Sequence, residues 1–238
     1  MDLSMVTLEF RVDSNMITVG EKMREADILR QFQQTGMDHL EYAGHGLKVL
    51  QAEHQMFLLS RNSVRFYRRP EYYEKLTSMT CTPRYEGVFN VRYYAMRDAS
   101  GELVADSCSY WTLLDSEKFR IIRPGHVDDS YLPKKEAFTV TAPPPGRLTP
   151  PEGMTEIGRH TVQLHETDQY GHLNNTRYVD IIRGLLPADE RISELEMNYN
   201  RQLPPGAEFS VFTDGQGFYS FVRDGANCFC AIVKTVKE

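Results

Sequence analysis

The sequence DQYGHLNNTRY, at residues 168–178, is the most informative stretch of the chain for its fold. Gly171 permits a tight backbone turn, because glycine has no side chain to restrict it. Either Asn174 or Asn175 is a suitable cap for the helix that the following residues favour. The stretch therefore predicts a turn that leads directly into the N-terminus of a helix.

The same stretch contains groups that are suited to acyl transfer. The first amides of a helix have no partner within the helix and attract negative charge. A helix N-terminus at residues 173–176 could therefore polarise a carbonyl whose oxygen becomes negative during the reaction. Asp168 and His172 flank this position as a candidate base and a candidate polarising group.

The elements predicted around this stretch occur in the same order in both halves of the chain. Each half begins with a strand, continues through a turn into a helix, and ends in several long strands. In the first half we predict a strand at 7–12, a helix at 24–42, and strands at 55–59, 64–67, 76–83, 88–96 and 103–114. In the second half we predict a strand at 161–164, a helix at 174–185 that ends before Pro187, and strands at 195–200, 208–213, 217–223 and 228–236.

A proline-rich stretch separates the two halves. Six of the 12 prolines fall within residues 133–151, where a helix or a central strand is excluded. We therefore expect a first unit at 1–132, a linker at 133–154 and a second unit at 155–238. One helix against several antiparallel strands in each unit predicts an α+β fold.

Composition excludes several classes of protein. The chain has 238 residues, of which 41% are hydrophobic and 25% charged, as in globular proteins. The net charge of −6 disfavours a nucleic-acid-binding protein. No apolar run is long enough for a membrane span and the N-terminus lacks a secretory pattern, so we expect a cytoplasmic protein. Cys228 and Cys230 lack two further ligands nearby in sequence, so no metal site is expected.

The pattern Asp-x-x-Gly-His-x-Asn-Asn-x-x-Tyr, where a strand meets a helix, resembles the hotdog-fold thioesterases. With a second unit upstream, the chain resembles the bacterial and plant acyl-acyl-carrier-protein (acyl-ACP) thioesterases, which consist of two fused hotdog units. The sequence MFLLSR at 56–61 and the hairpin at 93–115 resemble parts of their first unit. The resemblance covers nearly all of residues 5–236.

This resemblance implies a tandem (double) hotdog in which the first unit binds the acyl chain and the second carries one active site between the units. The implied reaction is hydrolysis of fatty acyl-ACP to free fatty acid and carrier thiol, within fatty acid biosynthesis. It implies acyl carrier protein as partner, a possible homodimer, and no metal or organic cofactor.

The chain departs from the family pattern at two positions. Tyr170 stands where the family has asparagine, and Gln202 stands where it has glutamate after the helix. Gln202 can orient a water molecule or donate a hydrogen bond, but it cannot act as a base. The single-unit hotdog thioesterases rely on one acid followed three residues later by glycine, as at 168–171.

The candidate residues fall into two groups. The catalytic candidates are Asp168, Tyr170, His172, Asn174 and Gln202. The substrate-binding candidates are Met56, Arg61 and Asn175.

Three other functions remain open at this point. An acyl-CoA thioesterase would use the same groups on a different carrier. A non-catalytic acyl-binding module would account for Tyr170 and Gln202, and a dehydratase or hydratase could share the fold. Residues 61–97 contain eight basic and three acidic residues, either as solvated strand faces or as a docking surface for an acidic carrier protein.

Overall fold

The computed structural model describes residues 2–125 and 132–237, which form a single large sheet with helices packed on one face. The helices are α1 (Glu25–Tyr42), α2 (Leu47–Ala52) and α3 (Arg177–Arg183). The strands of the first half are β1 (Val6–Arg11), β2 (Gln55–Phe66), β3 (Lys75–Glu86), β4 (Phe89–Asp98), β5 (Leu103–Asp115) and β6 (Arg120–Ile121). Those of the second half are β7 (Thr155–Thr161), β8 (Glu190–Tyr199), β9 (Glu208–Thr213), β10 (Phe218–Arg223) and β11 (Ala226–Lys237).

The two halves share one antiparallel sheet. Its strand order is β1-β3-β4-β5-β2-β8-β11-β10-β9-β7, and the short β6 pairs with β5. The halves join where β2 pairs with β8, from Arg61 opposite Asn198 to Arg65 opposite Glu194. This pairing brings the end of β8 next to the first half of the chain.

One hydrophobic core spans both halves. It includes Ile28 and Phe32 from α1 together with Tyr178 from α3 and Phe229 from β11. The two helices are also linked at their surface, because Arg30 forms an ion pair with Asp180. Burial on the helical face therefore holds both halves against the same sheet.

Most of the predicted elements are confirmed. The first helix begins and ends within one residue of its predicted bounds, and the strands at 76–83, 88–96 and 103–114 correspond to β3, β4 and β5. The predicted strands at 55–59 and 64–67 form one continuous strand, β2, with an irregularity between Leu59 and Arg61. Helix α2 and strand β6 were not predicted from the sequence.

The strand predicted at 161–164 is wrong. The strand lies earlier, at Thr155–Thr161, and Leu164–Glu166 forms one turn of 3₁₀ helix. Leu164 is 77% exposed, so it does not pack into the core as an apolar residue of a sheet strand would. The Glu166 carboxylate accepts a hydrogen bond from the Gln163 amide at 2.8 Å, which favours the turn over an extended strand.

The helix predicted at 174–185 is shorter than expected. It covers Arg177–Arg183, and Thr176 rather than either asparagine occupies the N-cap position. Asn174 Oδ1 accepts hydrogen bonds from the Thr176 amide at 3.0 Å and the Thr176 hydroxyl at 2.9 Å. This side-chain turn competes with helical hydrogen bonding and delays the start of the helix.

The proline-rich segment crosses the sheet without helix or strand of its own in its residues 133–154. It is nevertheless fixed by side chains of the sheet. The buried Asp106 carboxylate accepts from the Thr141 and Ala142 amides, and Asn198 Oδ1 accepts from the Leu148 amide. The segment therefore packs on the sheet, and its role as the boundary between two units stays a prediction. No helix in the described part of the chain is long and apolar enough to cross a membrane.

Candidate active site

A cavity of about 880 Å³ lies between α1 and the sheet. Its walls come from α1, α2, β2, β4 and β5, from residues 168–175, and from the segment that follows β8. Much of the wall from the first half is apolar and includes Met37, Leu40, Leu50, Phe57, Leu59 and Phe89. The second half contributes a group of polar side chains to the same space.

The backbone of residues 168–172 is closed into a tight loop by Asp168. The Asp168 amide donates to the His172 carbonyl at 2.8 Å. In return, Asp168 Oδ1 accepts from the Tyr170 amide at 2.9 Å and the His172 amide at 3.2 Å. Gly171 has a φ of +75°, which glycine adopts without strain. One carboxylate oxygen thus orients the loop, and the other carries no bond to this loop.

A second set of backbone bonds attaches this loop to the segment after β8. The Leu173 amide donates to the Leu203 carbonyl at 2.8 Å, and both leucine side chains are buried. The Asn174 amide donates to the Glu166 carbonyl at 2.9 Å. These bonds place Gln202, next to Leu203, on the cavity wall that His172 also lines.

Two polar atoms in this wall are buried without a hydrogen-bond partner among the described residues. They are His172 Nδ1 and Gln202 Nε2. Buried polar atoms are nearly always satisfied, so each is suited to bind a substrate or a water molecule. Burial lowers the pKa of His172, while the negative charge of Asp168 opposes that effect. His172 is therefore uncharged at neutral pH, with one nitrogen that donates and one that accepts.

The remaining polar side chains of the second half differ in the hydrogen-bonding groups that they can present to a substrate. Asn174 Oδ1 is occupied by Thr176, so its Nδ2 is the group left to donate into the cavity. The Asn175 carbonyl accepts from the Tyr199 hydroxyl at 3.2 Å. Burial raises the pKa of Tyr170, so its hydroxyl stays protonated at neutral pH.

The structure brings most of the predicted residues together. Seven of them line the cavity: Arg61, Asp168, Tyr170, His172, Asn174, Asn175 and Gln202. Met56 is absent from the described lining residues. It is buried and pairs with Leu114 in the sheet, while the neighbouring Phe57 reaches the cavity.

Sequence reasoning did not place Gln33, Asn90, Trp111 or Asn200 at the cavity, although all four line it. These residues lie on α1, β4, β5 and just after β8, far apart in the chain. Only the strand pairing brings them together, and no local motif marks them.

Four of the eight basic residues at 61–97 have an acidic partner among the described residues, including the buried Arg69, which lies 3.9 Å from Glu25. Arg68 pairs with Glu74 and Asp98, and Arg84 pairs with Glu86. Beyond these pairs, Arg65 approaches Glu194 at 3.9 Å. Ion pairs on the strand faces thus account for half of the basic residues in this stretch, and these four are less available to a docking partner. Arg61 differs, because its guanidinium lies over the Phe89 ring at 5.2 Å and lines the cavity.

Within the described residues, no cluster of three or more His, Cys, Asp or Glu side chains has a geometry that could hold a metal ion. Cys228 and Cys230 are both buried free thiols. Burial raises the pKa of both, to about 11 for Cys230.

A family model described as the acyl-ACP thioesterase N-terminal domain matches residues 4–131. The chain belongs to the acyl-ACP thioesterase family. It is accordingly a thioester hydrolase, and the expected family is confirmed. A search of curated proteins found no match.

Solved structures with a similar fold match this chain over nearly its whole length. An acyl-ACP thioesterase from Bacteroides thetaiotaomicron has a TM-score of 0.88 at 19% identity, covering 99% of this chain and 100% of that one. A putative oleoyl thioesterase from Lactobacillus plantarum has a TM-score of 0.82 at 15% identity, covering 99% and 97%. The 12:0-ACP thioesterase from Umbellularia californica has a TM-score of 0.77 at 15% identity, covering 100% and 99%. These likenesses confirm the predicted α+β double hotdog, with a second helix much shorter than the first.

Proposed function

We propose that this acyl-ACP thioesterase family member hydrolyses fatty acyl thioesters carried on acyl carrier protein, as a step of fatty acid biosynthesis. The products are a free fatty acid and the carrier thiol. One observation carries the proposal. The Asp168 carboxylate and the unpartnered atoms of His172 and Gln202 converge on a cavity whose other walls are largely apolar.

The apolar walls suit the alkyl part of the substrate. Leu40 and Met37 from α1 face the cavity together with Phe57 and Leu59 from β2. Removing an alkyl chain from water contributes about 0.8 kcal/mol for each buried methylene group. In this proposal the first half of the chain binds the acyl group, and the polar wall of the second half holds the thioester.

Asp168 supplies the reactive carboxylate oxygen. Its Oδ1 is engaged by the Tyr170 and His172 amides, which leaves Oδ2 for the substrate. By one route, Oδ2 takes a proton from water, and the water oxygen attacks the thioester carbon. By the other, Oδ2 attacks that carbon directly and water then cleaves the resulting anhydride. In both routes the carbon–sulfur bond breaks and the departing sulfur receives a proton.

The neighbouring polar groups stabilise the oxygen that becomes negative. Gln202 Nε2 is buried and has no partner in the part of the chain that the structure describes, so it can donate to this oxygen without losing a bond to those residues. Asn174 Nδ2 is a second donor, because its Oδ1 is held by Thr176. Neutral His172 orients the attacking water, and the proton that leaves this water passes to the departing sulfur. Gln202 thus serves as a hydrogen-bond donor at the position where the family pattern has glutamate.

Two arginines at the cavity suit the anionic arm of the carrier. Arg61 and Arg201 both line the cavity, and Arg201 is exposed. The phosphopantetheine group of acyl carrier protein carries a phosphodiester, which guanidinium groups bind well. Coenzyme A offers phosphates too, so the carrier is decided by experiment.

The test compares thiol release from acyl-ACP and acyl-CoA thioesters with chains of four to eighteen carbons. We expect kcat/KM on the carrier protein to exceed that on coenzyme A at every chain length that is hydrolysed. Equal or higher kcat/KM on coenzyme A would overturn the choice of carrier. No thiol release from any thioester would overturn the proposed function.

A further inference from the structure

The wall of the cavity on β4 contains polar side chains that the proposed reaction does not use. Asn90 and Arg92 lie two residues apart on β4, are buried, and line the cavity. Next to them, the Ser60 and Thr112 hydroxyls hydrogen bond to each other at 2.7 Å, and both residues also line the cavity. We call these four residues the distal polar wall.

Asn90 is the residue of the distal polar wall that is best suited to bind a ligand. Its side-chain Nδ2 is buried and has no hydrogen-bond partner among the described residues. The residue itself is only 2% exposed. By comparison, Arg92 Nη1 donates to His39 Nδ1 at 2.9 Å and to Thr80 Oγ1 at 3.2 Å. Asn90 therefore lines the cavity with an amide donor that none of the described residues satisfies.

The sheet register gives the approximate backbone separation between the strand that carries Asn90 and the strand that leads to Gln202. Asn90 lies opposite Trp111 of β5, and Trp111 lies opposite Leu59 of β2. Strand β2 pairs in turn with β8, whose last residue, Tyr199, immediately precedes the segment that carries Gln202. Three strand spacings separate β4 from β8, which amounts to about 14 Å. That is the length of an extended chain of on the order of ten carbon–carbon bonds.

An unmodified alkyl chain is a poor match for this wall. If methylene groups filled the space, the Asn90 amide would lose any bound water and remain unsatisfied, which costs about 1–3 kcal/mol. Sites built to hydrogen bond a substrate oxygen discriminate strongly against the analogue that lacks it. A hydroxyl or keto oxygen far along the acyl chain would accept from Asn90 Nδ2 and remove this cost.

We propose that the protein prefers acyl chains that carry a hydroxyl or keto oxygen distant from the thioester, with Asn90 as the residue that selects it. This inference rests on the proposed function, because it concerns the acyl group held in the same cavity. It adds a substrate class and a specificity-determining residue on β4, outside the candidate catalytic loop.

The test uses four acyl-carrier-protein thioesters: dodecanoyl, tridecanoyl, 12-hydroxydodecanoyl and 3-hydroxydodecanoyl. Tridecanoyl matches the length of the 12-hydroxy chain without its oxygen, and the 3-hydroxy chain carries its oxygen near the thioester. We expect kcat/KM for the 12-hydroxy chain to exceed that for tridecanoyl by roughly three- to tenfold, as one buried hydrogen bond would give. The 3-hydroxy chain should gain nothing over dodecanoyl.

The Asn90→Leu variant should lose this preference and favour tridecanoyl instead. Met37→Leu, which changes an apolar residue of the same cavity, should keep the preference of the unmodified protein. A merely structural role for Asn90 would lower kcat/KM for both chains equally. An unmodified protein that prefers tridecanoyl, or an Asn90→Leu variant that still prefers the hydroxyl, would overturn the inference.

Binding of the free acids separates this inference from the proposed reaction. Calorimetric titration of the unmodified protein with 12-hydroxydodecanoate and with tridecanoate requires no hydrolysis and no variant. Tighter binding of the hydroxy acid supports the inference even if no thioester is cleaved. Equal or weaker binding overturns it even if hydrolysis proceeds.

Discussion

Asp168 and His172 are linked by two hydrogen bonds, one between backbone groups and one from a backbone amide to a side chain. The Asp168 amide donates to the His172 carbonyl at 2.8 Å, and the His172 amide donates to Asp168 Oδ1 at 3.2 Å. The carboxylate is therefore oriented by the same loop that presents the imidazole. This arrangement keeps the carboxylate that we propose as reactive and a neutral imidazole on one wall before substrate arrives.

Gly36 allows α1 to lie directly against the Tyr94 hydroxyl. A Cβ atom at position 36 would lie 2.6 Å from Tyr94 Oη, and both residues line the cavity. Alanine in place of glycine normally stabilises a helix by about 1 kcal/mol. Here we expect Gly36→Ala to lower Tm and to shift the acyl preference toward shorter chains, because Tyr94 is displaced. Thermal unfolding and an acyl-chain panel measure both effects.

The Gly36→Ala/Tyr94→Phe double variant is the control for this contact. It lacks the hydroxyl that meets the new methyl group, so it should recover Tm and chain preference toward those of Tyr94→Phe alone. If Gly36→Ala raises Tm and leaves chain preference unchanged, the contact does not limit the cavity.

His39 should make the protein less stable as the pH falls. It is fully buried, and burial together with the charge of Arg92 lowers its pKa from 6.5 to about 4. Between these values the unfolded chain binds a proton that the folded protein excludes, so the free energy of unfolding decreases with falling pH. The difference between the two pKa values corresponds to roughly 3 kcal/mol. Urea unfolding at pH 7 and pH 4.5 measures it.

His39→Asn is the matched variant for this pH effect. It keeps an oxygen that can accept from Arg92 but cannot be protonated in this range. The loss of stability between the two pH values should therefore be smaller in the variant by a few kcal/mol. An identical loss in both proteins would show that His39 does not contribute to it.

Asp106 should anchor the proline-rich segment. Its buried carboxylate accepts from the Thr141 amide at 2.5 Å and the Ala142 amide at 3.2 Å. Asp106→Ala leaves both amides without this acceptor, and we expect a loss of about 2 kcal/mol in the free energy of unfolding. The variant should also be cleaved faster by protease within residues 133–154. Asp189→Ala, at a side chain 70% exposed, should change neither quantity.

Arg61 should bind substrate without taking part in the chemical step. Its guanidinium lines the cavity and stacks over Phe89. We expect Arg61→Gln to raise KM for acyl-ACP about fivefold or more with little change in kcat, because a contact that is equal in ground and transition states alters only binding. Added salt should raise KM less in the variant than in the unmodified protein.

Arg159→Gln is the control for charge alone. Arg159 lies on the edge strand β7 with a side chain 65% exposed. The Arg159→Gln variant should leave KM for acyl-ACP unchanged. An unchanged KM in Arg61→Gln as well would exclude Arg61 from substrate binding.

The parts of the fold that depend on local sequence were predictable. The helix predicted at 24–42 agrees with α1 within one residue at each end, and Ile28, Leu29 and Phe32, at helical spacing, are buried on it. The second helix was predicted too long, because Asn174 forms a side-chain turn with Thr176 that residue propensities do not reveal. The joining of the two halves through β2 and β8 depends on pairing between residues 129 to 137 positions apart and has no local signal.

The same distinction holds for the candidate site. Asp168 and His172 lie in one short loop, so their residue types and spacing were enough to select them. Gln202 was selected only through the family resemblance, and the Leu173–Leu203 backbone bond explains why it joins them. Asn90 lies on the same cavity as Gln202 because β4, β5, β2 and β8 pair in succession. No local sequence pattern indicates these pairings.

The most direct test of the central claim is thiol release from an acyl-ACP thioester by Asp168→Asn. The asparagine oxygen can still accept from the Tyr170 and His172 amides, so the loop should keep its structure. Asp13→Asn is the matched control, because Asp13 Oδ1 accepts from the Asn15 amide in the corresponding turn of the first half. Equal Tm values would show that both variants fold.

We expect Asp168→Asn to lower kcat by about a hundredfold or more, the usual contribution of a catalytic acid or base. Asp13→Asn should keep the kcat of the unmodified protein. A folded Asp168→Asn variant that releases thiol at the unmodified rate would contradict the assignment of Asp168 as the reactive carboxylate.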